Sequence, residues 1–397
     1  MPIYSLHTRR YLSWIEGLTT NQNVTGSNPV RRTTANHEAP SGLVFYASML
    51  PVGKALPPCA SPATIVGMET MTHNTVDPVV GRFAPTPSGR MHLGNVLSCL
   101  MAWLGARSAG GRMVMRVEDL DPRAARRDVA ALLMDDLAWL GLDWDEGPYY
   151  QSDRGQVYEE AVARLQKRGL VYPCFCTRAE LHAASAPHAS DGTYVYQGTC
   201  RGLTARQVAE RSAQRAPALR LRVPDAGDTG AEVTFCDLVC GPQQENLARE
   251  CGDFLVRRSD GVFAYQLAVV VDDGAMGITQ VVRGRDLLGS VARQRYLQRL
   301  LGLPELAYAH VPLLVAPDGR RLSKRDRDLD LGLLRERGVA PQAIVGMLAH
   351  ACGLIAELRP VAPADLVETF SWEALARAGE CVVCDDAFVQ GLLRVGA

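Results

Sequence analysis

Net charge is nearly absent from this sequence: 42 Lys and Arg stand against 43 Asp and Glu, leaving −1 over 397 residues. No global field draws the chain onto DNA, RNA or a membrane, so any nucleic-acid contact must come from a local patch or a shaped groove. Long apolar runs are missing too. Even the stretch around Ile344–Leu354 carries Gly346 and His350, short of the ~18 uncharged apolar residues of a spanning helix. The first twenty residues lack the charged head and apolar middle of a secretory signal. Internal repeats are absent. Eleven cysteines, an odd number scattered over a long chain, do not make a disulfide scaffold. The expectation is a cytoplasmic, monomeric protein with reduced thiols and neither a DNA nor a membrane partner.

What is present is apolar content, 47% of residues, ample for about two or three domains. Residues 1–76 lack sustained periodicity and are rich in Thr, Asn, Ser and Pro, the composition of an unstructured extension. Gly26-Ser27-Asn28-Pro29-Val30 also back-translates into a stretch similar to the T-arm of a tRNA gene, which would place the true start at Met68 or Met71. An ordinary unstructured tail is the other reading.

From Val79 onward, strand and helix patterns alternate. RFAPTPSGRMHLGN (82–95) follows Val79 and Val80 as strand, rigid turn and helix start. Pro85 and Pro87 stop a ladder, Gly89 permits a change of backbone sign, and Val96, Leu97, Leu100, Met101 and Leu104 recur at helical spacing. GRMVMRVED (111–119) reads as a second buried strand and residues 126–142 as an amphipathic helix. Strand–helix–strand with a helix-length crossover is the βαβ unit of a parallel, Rossmann-type α/β sheet. Residues 77–170 are assigned to the first half of this domain, 171–262 to an insertion, and 263–325 to the second half. Within the second half FAYQLAVVVDD (263–273) reads as sheet-like. Residues 326–397 are expected to form a short, mostly helical C-terminal domain.

His92-Leu93-Gly94-Asn95 sits where free N–H groups and the helix dipole attract phosphate. His92 could donate to phosphoryl oxygens, and Gly94 could let a purine lie against the backbone. Equally, His92 could merely cap the helix. Far along the chain, Arg321-Leu322-Ser323-Lys324-Arg325 is a basic loop whose lysine could meet the charge of departing pyrophosphate. Together these two segments resemble the paired signatures of class I aminoacyl-tRNA synthetases, HIGH and KMSKS. Asn95 replaces the second histidine of the first, and RLSKR keeps the serine and second lysine of the second.

RFAPTPSGRMHLGN, RVEDLDPRAAR, GLDWDEGPYYQSDR and VVRGRDLL are similar, in order, to segments of the glutamyl-tRNA synthetase branch over residues 79–330. The resemblance is closest to a shortened paralogue of that branch. It implies activation of L-glutamate by ATP with Mg²⁺, without tRNA, and transfer to queuosine in the anticodon stem-loop of tRNA(Asp). Residues 326–397 are too few for the large helical anticodon-binding half of the full enzyme. A truncated enzyme charging a tRNA 3′ end, or a non-catalytic tRNA- or nucleotide-binding regulator, are the alternatives.

The resemblance assigns ATP to His92, Gly94, Asn95, Ser323 and Lys324, with His92 and Lys324 catalytic. It assigns glutamate to Arg82 and Arg283 as carboxylate forks, Glu118 as ammonium partner, Tyr265 as a hydroxyl, and Phe83, Ala84, Pro85, Thr86 and Ser88 as the framing turn. In the insertion, Cys174, Cys176, Tyr196 and Cys200 resemble a structural zinc site with tyrosine as an unusual fourth ligand. His182 and His188 are chemically the more ordinary candidates for that position. Arg201, Arg206, Arg211, Arg215, Arg220 and Arg222 could meet an RNA backbone or simply form a solvated face.

Overall fold

A computed structural model describes residues 78–122, 126–183, 195–320 and 330–396. The extension expected over 1–76, His188, Ser323 and Lys324 lie outside these residues, and the side chain of His182 is not among those described.

Among the described residues twelve strands form in chain order: β1 (Val80–Phe83), β2 (Arg112–Val117), β3 (Glu146–Tyr150), β4 (Val171–Cys174), β5 (Ala218–Leu221), β6 (Glu232–Asp237), β7 (Gly241–Asn246), β8 (Phe254–Arg257), β9 (Gln280–Gly284), β10 (Ala307–Val311), β11 (Leu313–Val315) and β12 (Cys381–Val383). β1, β2 and β3 pair in parallel. β9, β10 and β6 do likewise, and β7 closes a hairpin on β6. Thr279, just before β9, joins the two sets: its N–H donates to Val80 O at 3.0 Å and its Oγ1 accepts from Val80 N at 2.8 Å. The order β3-β2-β1-β9-β10-β6 thus changes direction between β1 and β9, the place where open α/β sheets bind ligands.

Side-chain alternation along β2 explains why both faces are covered. Met113 and Met115 enter a core shared with the helices Leu93–Arg107 and Pro341–Ala351, whereas Val114 enters one shared with Gly155–Lys167, Tyr265–Ala275 and Val291–Leu301. A period of two sends neighbours to opposite faces. At Gly111 a Cβ would lie 2.1 Å from Val79 O, so only glycine lets the chain turn there into β2. At Gly89 φ is +139°, the conformation the turn before the helix requires.

FAYQLAVVVDD is not sheet-like: Tyr265–Ala275 is a helix whose residues from Leu267 to Asp273 are all buried. An apolar run buried all round carries no helical stripe, so periodicity alone cannot separate it from a core strand. Within the 171–262 span, β4, β5 and β8 make a small antiparallel sheet, while β6 returns to the main sheet beside β10. The C-terminal helices Leu331–Glu336, Pro341–Ala351, Trp372–Arg377 and Asp386–Gly396 are accompanied by β12, which pairs in parallel with β11. No helix among the described residues is long and apolar enough to cross a membrane.

Candidate active site

At the carboxyl ends of β1, β2 and β9 the chain leaves a cavity of about 720 Å³. Arg82 and Phe83 from β1, the turn residues Ala84, Pro85, Thr86 and Ser88, and Glu118 beyond β2 line it. So do Arg283 from β9, Tyr265 at the start of its helix, and His92, Gly94 and Asn95 at the start of another. The carboxylate-binding candidates and the helix N-terminus therefore face one space.

His92 is the N-cap of the helix Leu93–Arg107, and its Nδ1 accepts from Gly94 N at 3.1 Å. Accepting at Nδ1 places the ring proton on Nε2. The capping role and a role at the cavity are thus compatible, because the two nitrogens divide the work. Gly94 is small for a reason beyond purine stacking: a Cβ there would stand 3.0 Å from His92 Nδ1 and Cε1.

Arg82 is buried, donating from Nη1 to Val282 O at 3.0 Å with its Nε 3.8 Å from Asp273. Burial lowers its pKa, partly offset by Asp273. Sequence reasoning missed the group beneath it. Arg116, wholly buried in β2, donates to Asp273 at 2.6 Å and to Glu118 at 3.1 Å, with Asp272 at 3.9 Å. Burial opposes its charge, but Asp273, Glu118 and Asp272 together hold it firmly protonated. Arg116 in turn fixes the Glu118 carboxylate, whose pKa burial raises against the pull of Arg116 and Arg82. The only hint in the sequence is a second arginine set in the apolar run that follows Arg112.

Arg283 differs from both in having no carboxylate at ion-pair distance among the described residues, and its hydrogen-bond partners are neutral groups. Its Nη2 donates to Leu287 O at 3.1 Å and its Nη1 to the Tyr265 hydroxyl at 3.4 Å, while Nε donates to His310 Nε2 at 3.0 Å. A buried cation supported only by dipoles is complementary to an anion entering the cavity.

Away from the cavity, Cys174, Cys176 and Cys200 bring their sulfurs within 4.8 Å of one another. The Tyr196 hydroxyl lies 3.5 Å from Cys174 Sγ and 3.6 Å from Cys176 Sγ, and Cys176 and Cys200 are 3.6 Å apart. A tetrahedral site with ~2.3 Å metal–sulfur bonds has edges of ~3.8 Å, so four donors at these spacings suit one tetrahedral cation. Arg220 stacks on the Tyr196 ring at 3.8 Å and donates to Cys174 Sγ at 3.4 Å. Burial works against a Cys174 thiolate, yet its hydrogen bonds with Tyr196 and the Cys176 backbone, with the Arg220 charge, bring its pKa below the ordinary thiol value. Arg220 is therefore a buried support of this cluster and not an RNA contact. Arg201 is tied to Asp225 at 2.6 Å and Asp253 at 3.1 Å, whereas Arg206 stands exposed beside Glu210.

A doubly covered parallel sheet with a helix start and two arginines at its switch point is the arrangement expected of a class I aminoacyl-tRNA synthetase catalytic domain. Residues 78–383 match the family described as tRNA synthetases class I (E and Q), catalytic domain, and the chain belongs to that family. Over 309 residues it is 48% identical to the glutamyl-Q tRNA(Asp) synthetase of Symbiobacterium thermophilum, spanning 75% of this chain and 94% of that one. The protein of the same name from Nitratidesulfovibrio vulgaris is 49% identical over 305 residues, 74% of this chain and 93% of that one. Among solved structures, a glutamate tRNA ligase of Elizabethkingia meningosepticum in complex with its amino acid superposes with a TM-score of 0.67 at 25% identity. That match covers 80% of this chain and 69% of the other. Within the family, the chain groups with the glutamyl-Q tRNA(Asp) synthetases.

Proposed function

We propose that the protein activates L-glutamate with ATP, without tRNA, and transfers the glutamyl group to queuosine in the anticodon of tRNA(Asp). The observation that carries the first half is the meeting in one cavity of Arg82, Arg283 and Glu118 with the helix start at His92. Two guanidinium groups and one carboxylate match the two carboxylates and one ammonium of glutamate. The second half is supported by the similarity, at 48% and 49% identity, to the two glutamyl-Q tRNA(Asp) synthetases.

In the first step a glutamate α-carboxylate oxygen attacks the α-phosphorus of ATP, an O–P bond forms, and pyrophosphate leaves with the electron pair of the broken bond. Catalysis is then mainly positioning and stabilisation of spreading charge. Arg82 and Arg283 grip the carboxylates, Glu118 holds the ammonium, and Tyr265 contributes its hydroxyl. The turn from Phe83 through Ala84, Pro85 and Thr86 to Ser88 frames the amino acid. His92 Nε2–H and the positive end of the helix dipole at Gly94 and Asn95 face the phosphates, and Ser323 and Lys324 act on the leaving pyrophosphate, which Mg²⁺ accompanies. In the second step a hydroxyl of queuosine attacks the glutamyl carbonyl and releases AMP.

A pocket whose arginine is buried against neutral partners should reject glutamine, whose amide would leave that guanidinium unpaired. Cys174, Cys176 and Cys200, with the Tyr196 hydroxyl, would hold one structural zinc ion that cross-links the small β4–β5–β8 subdomain. ATP–pyrophosphate exchange tests the first step: glutamate alone supports it, glutamine does not, and added tRNA is not required. No exchange with glutamate, or exchange only with tRNA present, would overturn this reading.

A further inference from the structure

Arg283 is buried, and no carboxylate lies within ion-pair distance of it among the described residues. Its Nε–H instead meets His310 Nε2 at 3.0 Å. To accept there, the imidazole must carry its proton on Nδ1, and Nδ1 is 2.6 Å from Asp237 Oδ2. Both His310 and Asp237 are buried, with exposures of 0% and 2%. Asp237 is itself held rigidly, because its Oδ1 accepts from the backbone N–H groups of Val239 at 3.0 Å, Cys240 at 2.9 Å and His310 at 3.1 Å. Burial lowers the His310 pKa, consistent with a neutral ring.

This arrangement solves a specific problem. A carboxylate placed directly on Arg283 would fix its orientation but neutralise it, and the cavity would lose its attraction for an acidic substrate. A neutral imidazole fixes the guanidinium without cancelling its charge. The negative charge of Asp237 sits one ring further away, where it sets the tautomer. We propose that Asp237 and His310 are positioning residues for substrate recognition: they hold Arg283 through an uncharged ring, so that the guanidinium is fixed at Nε and presents its charge to a substrate carboxylate. The inference rests on the reading of the cavity as a glutamate site.

Asp237→Asn is the sharpest test because it barely changes shape. The three backbone N–H groups demand an oxygen at the Oδ1 position, so the new amide must turn its NH₂ toward His310. His310 then accepts at Nδ1 and places its proton on Nε2, against the Arg283 Nε–H. Donor faces donor, and the Arg283 fork is displaced. The expected result is a glutamate KM raised by about tenfold or more, with kcat and the KM for ATP within about threefold of wild type in ATP–pyrophosphate exchange. His310→Leu should match it. His310→Gln can accept from Arg283 and donate to Asp237, and should return the glutamate KM to within about threefold of wild type. Nitrogen-15 imidazole shifts, with the His310 signal assigned by its loss in His310→Gln, should show the Nδ1–H tautomer in wild type and Nε2–H in Asp237→Asn. Wild-type glutamate KM in Asp237→Asn and His310→Leu would overturn the inference alone, as would an Nε2–H or doubly protonated His310 in wild type. Wild-type protein that fails to bind glutamate in calorimetry would overturn the glutamate-site reading along with it.

Discussion

Asp330 pairs with His92 as an isolated antiparallel bridge, although more than half the chain lies between them. Beside it Leu331 N donates to Met91 O at 3.0 Å. A second tie lies close by: buried Asp136 accepts from Arg90 at 2.9 Å and from Arg335 at 3.0 Å. The segment that follows the RLSKR stretch is thereby fastened to the turn that opens the phosphate-suited helix. Asp330 also caps the helix Leu331–Glu336, accepting from Gly332 N at 2.9 Å and Leu333 N at 3.2 Å.

Removing that cap should therefore be felt at ATP. Asp330→Ala loses about 1 kcal/mol of local helix stability and is expected to raise the KM for ATP several-fold while leaving that for glutamate unchanged. Asp330→Asn, which can still cap, should stay near wild type. Steady-state ATP–pyrophosphate exchange with each substrate varied in turn checks this. A change confined to glutamate would contradict it.

Arg116 is the cation beneath the part of the cavity that Arg82 and Glu118 line. Arg116→Met fills similar volume but leaves Glu118 without its ion-pair partner and Asp273 with only Arg82 at 3.8 Å, while Asp272 keeps Arg154 at 2.6 Å. A destabilisation of about 3–5 kcal/mol is expected, read as the shift in urea midpoint. A loss under about 1 kcal/mol would mean that these carboxylates find other partners.

In the insertion, Cys200→Ala removes one of three clustered sulfurs. Metal analysis should find about one zinc per wild-type chain and much less in the variant, with a lower melting temperature. Tyr196→Phe separates the hydroxyl from the ring: affinity for zinc should fall while the stack on Arg220 persists. Equal zinc affinity in Tyr196→Phe and wild type would remove tyrosine from the donor set.

The buried histidine predicts a pH signature. Burial comes first among the causes that lower the His310 pKa; Arg283 and Arg82 also lower it and Asp237 opposes them. With the folded value below the unfolded one of about 6.5, the unfolded chain takes up the proton first. Stability is therefore lost as pH falls from about 6.5 toward the folded value. Asp237, whose pKa is lowered although burial opposes it, because His310 and backbone N–H groups hold its charge, acts only at lower pH. Melting temperature measured down from pH 7 should fall more steeply for wild type than for His310→Gln. Parallel curves would contradict this.

Residues that reach the cavity from turns and strand ends were legible because their neighbours carry punctuation. Pro85, Pro87 and Gly89 announce the turn that delivers Arg82 and His92, and Glu118 follows a run of β-type apolar residues. Arg116, Asp273, Asp237 and His310 carried no such mark. Each is a charged or titratable residue whose meaning depends on burial beside a partner far away in sequence, and local pattern does not encode that partner. The helix Tyr265–Ala275 looks sheet-like in sequence for a related reason, since packing on all sides erases the stripe by which a helix is known. Arg220 shows the converse. In an arginine-rich stretch it looked like surface, and only the fold shows it stacked beneath a tyrosine.

The most direct test uses labelled glutamate, ATP and two preparations of tRNA(Asp), one carrying queuosine and one carrying unmodified guanosine at that position. Label should enter only the queuosine-bearing tRNA and should remain after the 3′-terminal adenosine is removed. Label on the terminal adenosine, or equal labelling of both preparations, would contradict transfer to the anticodon base.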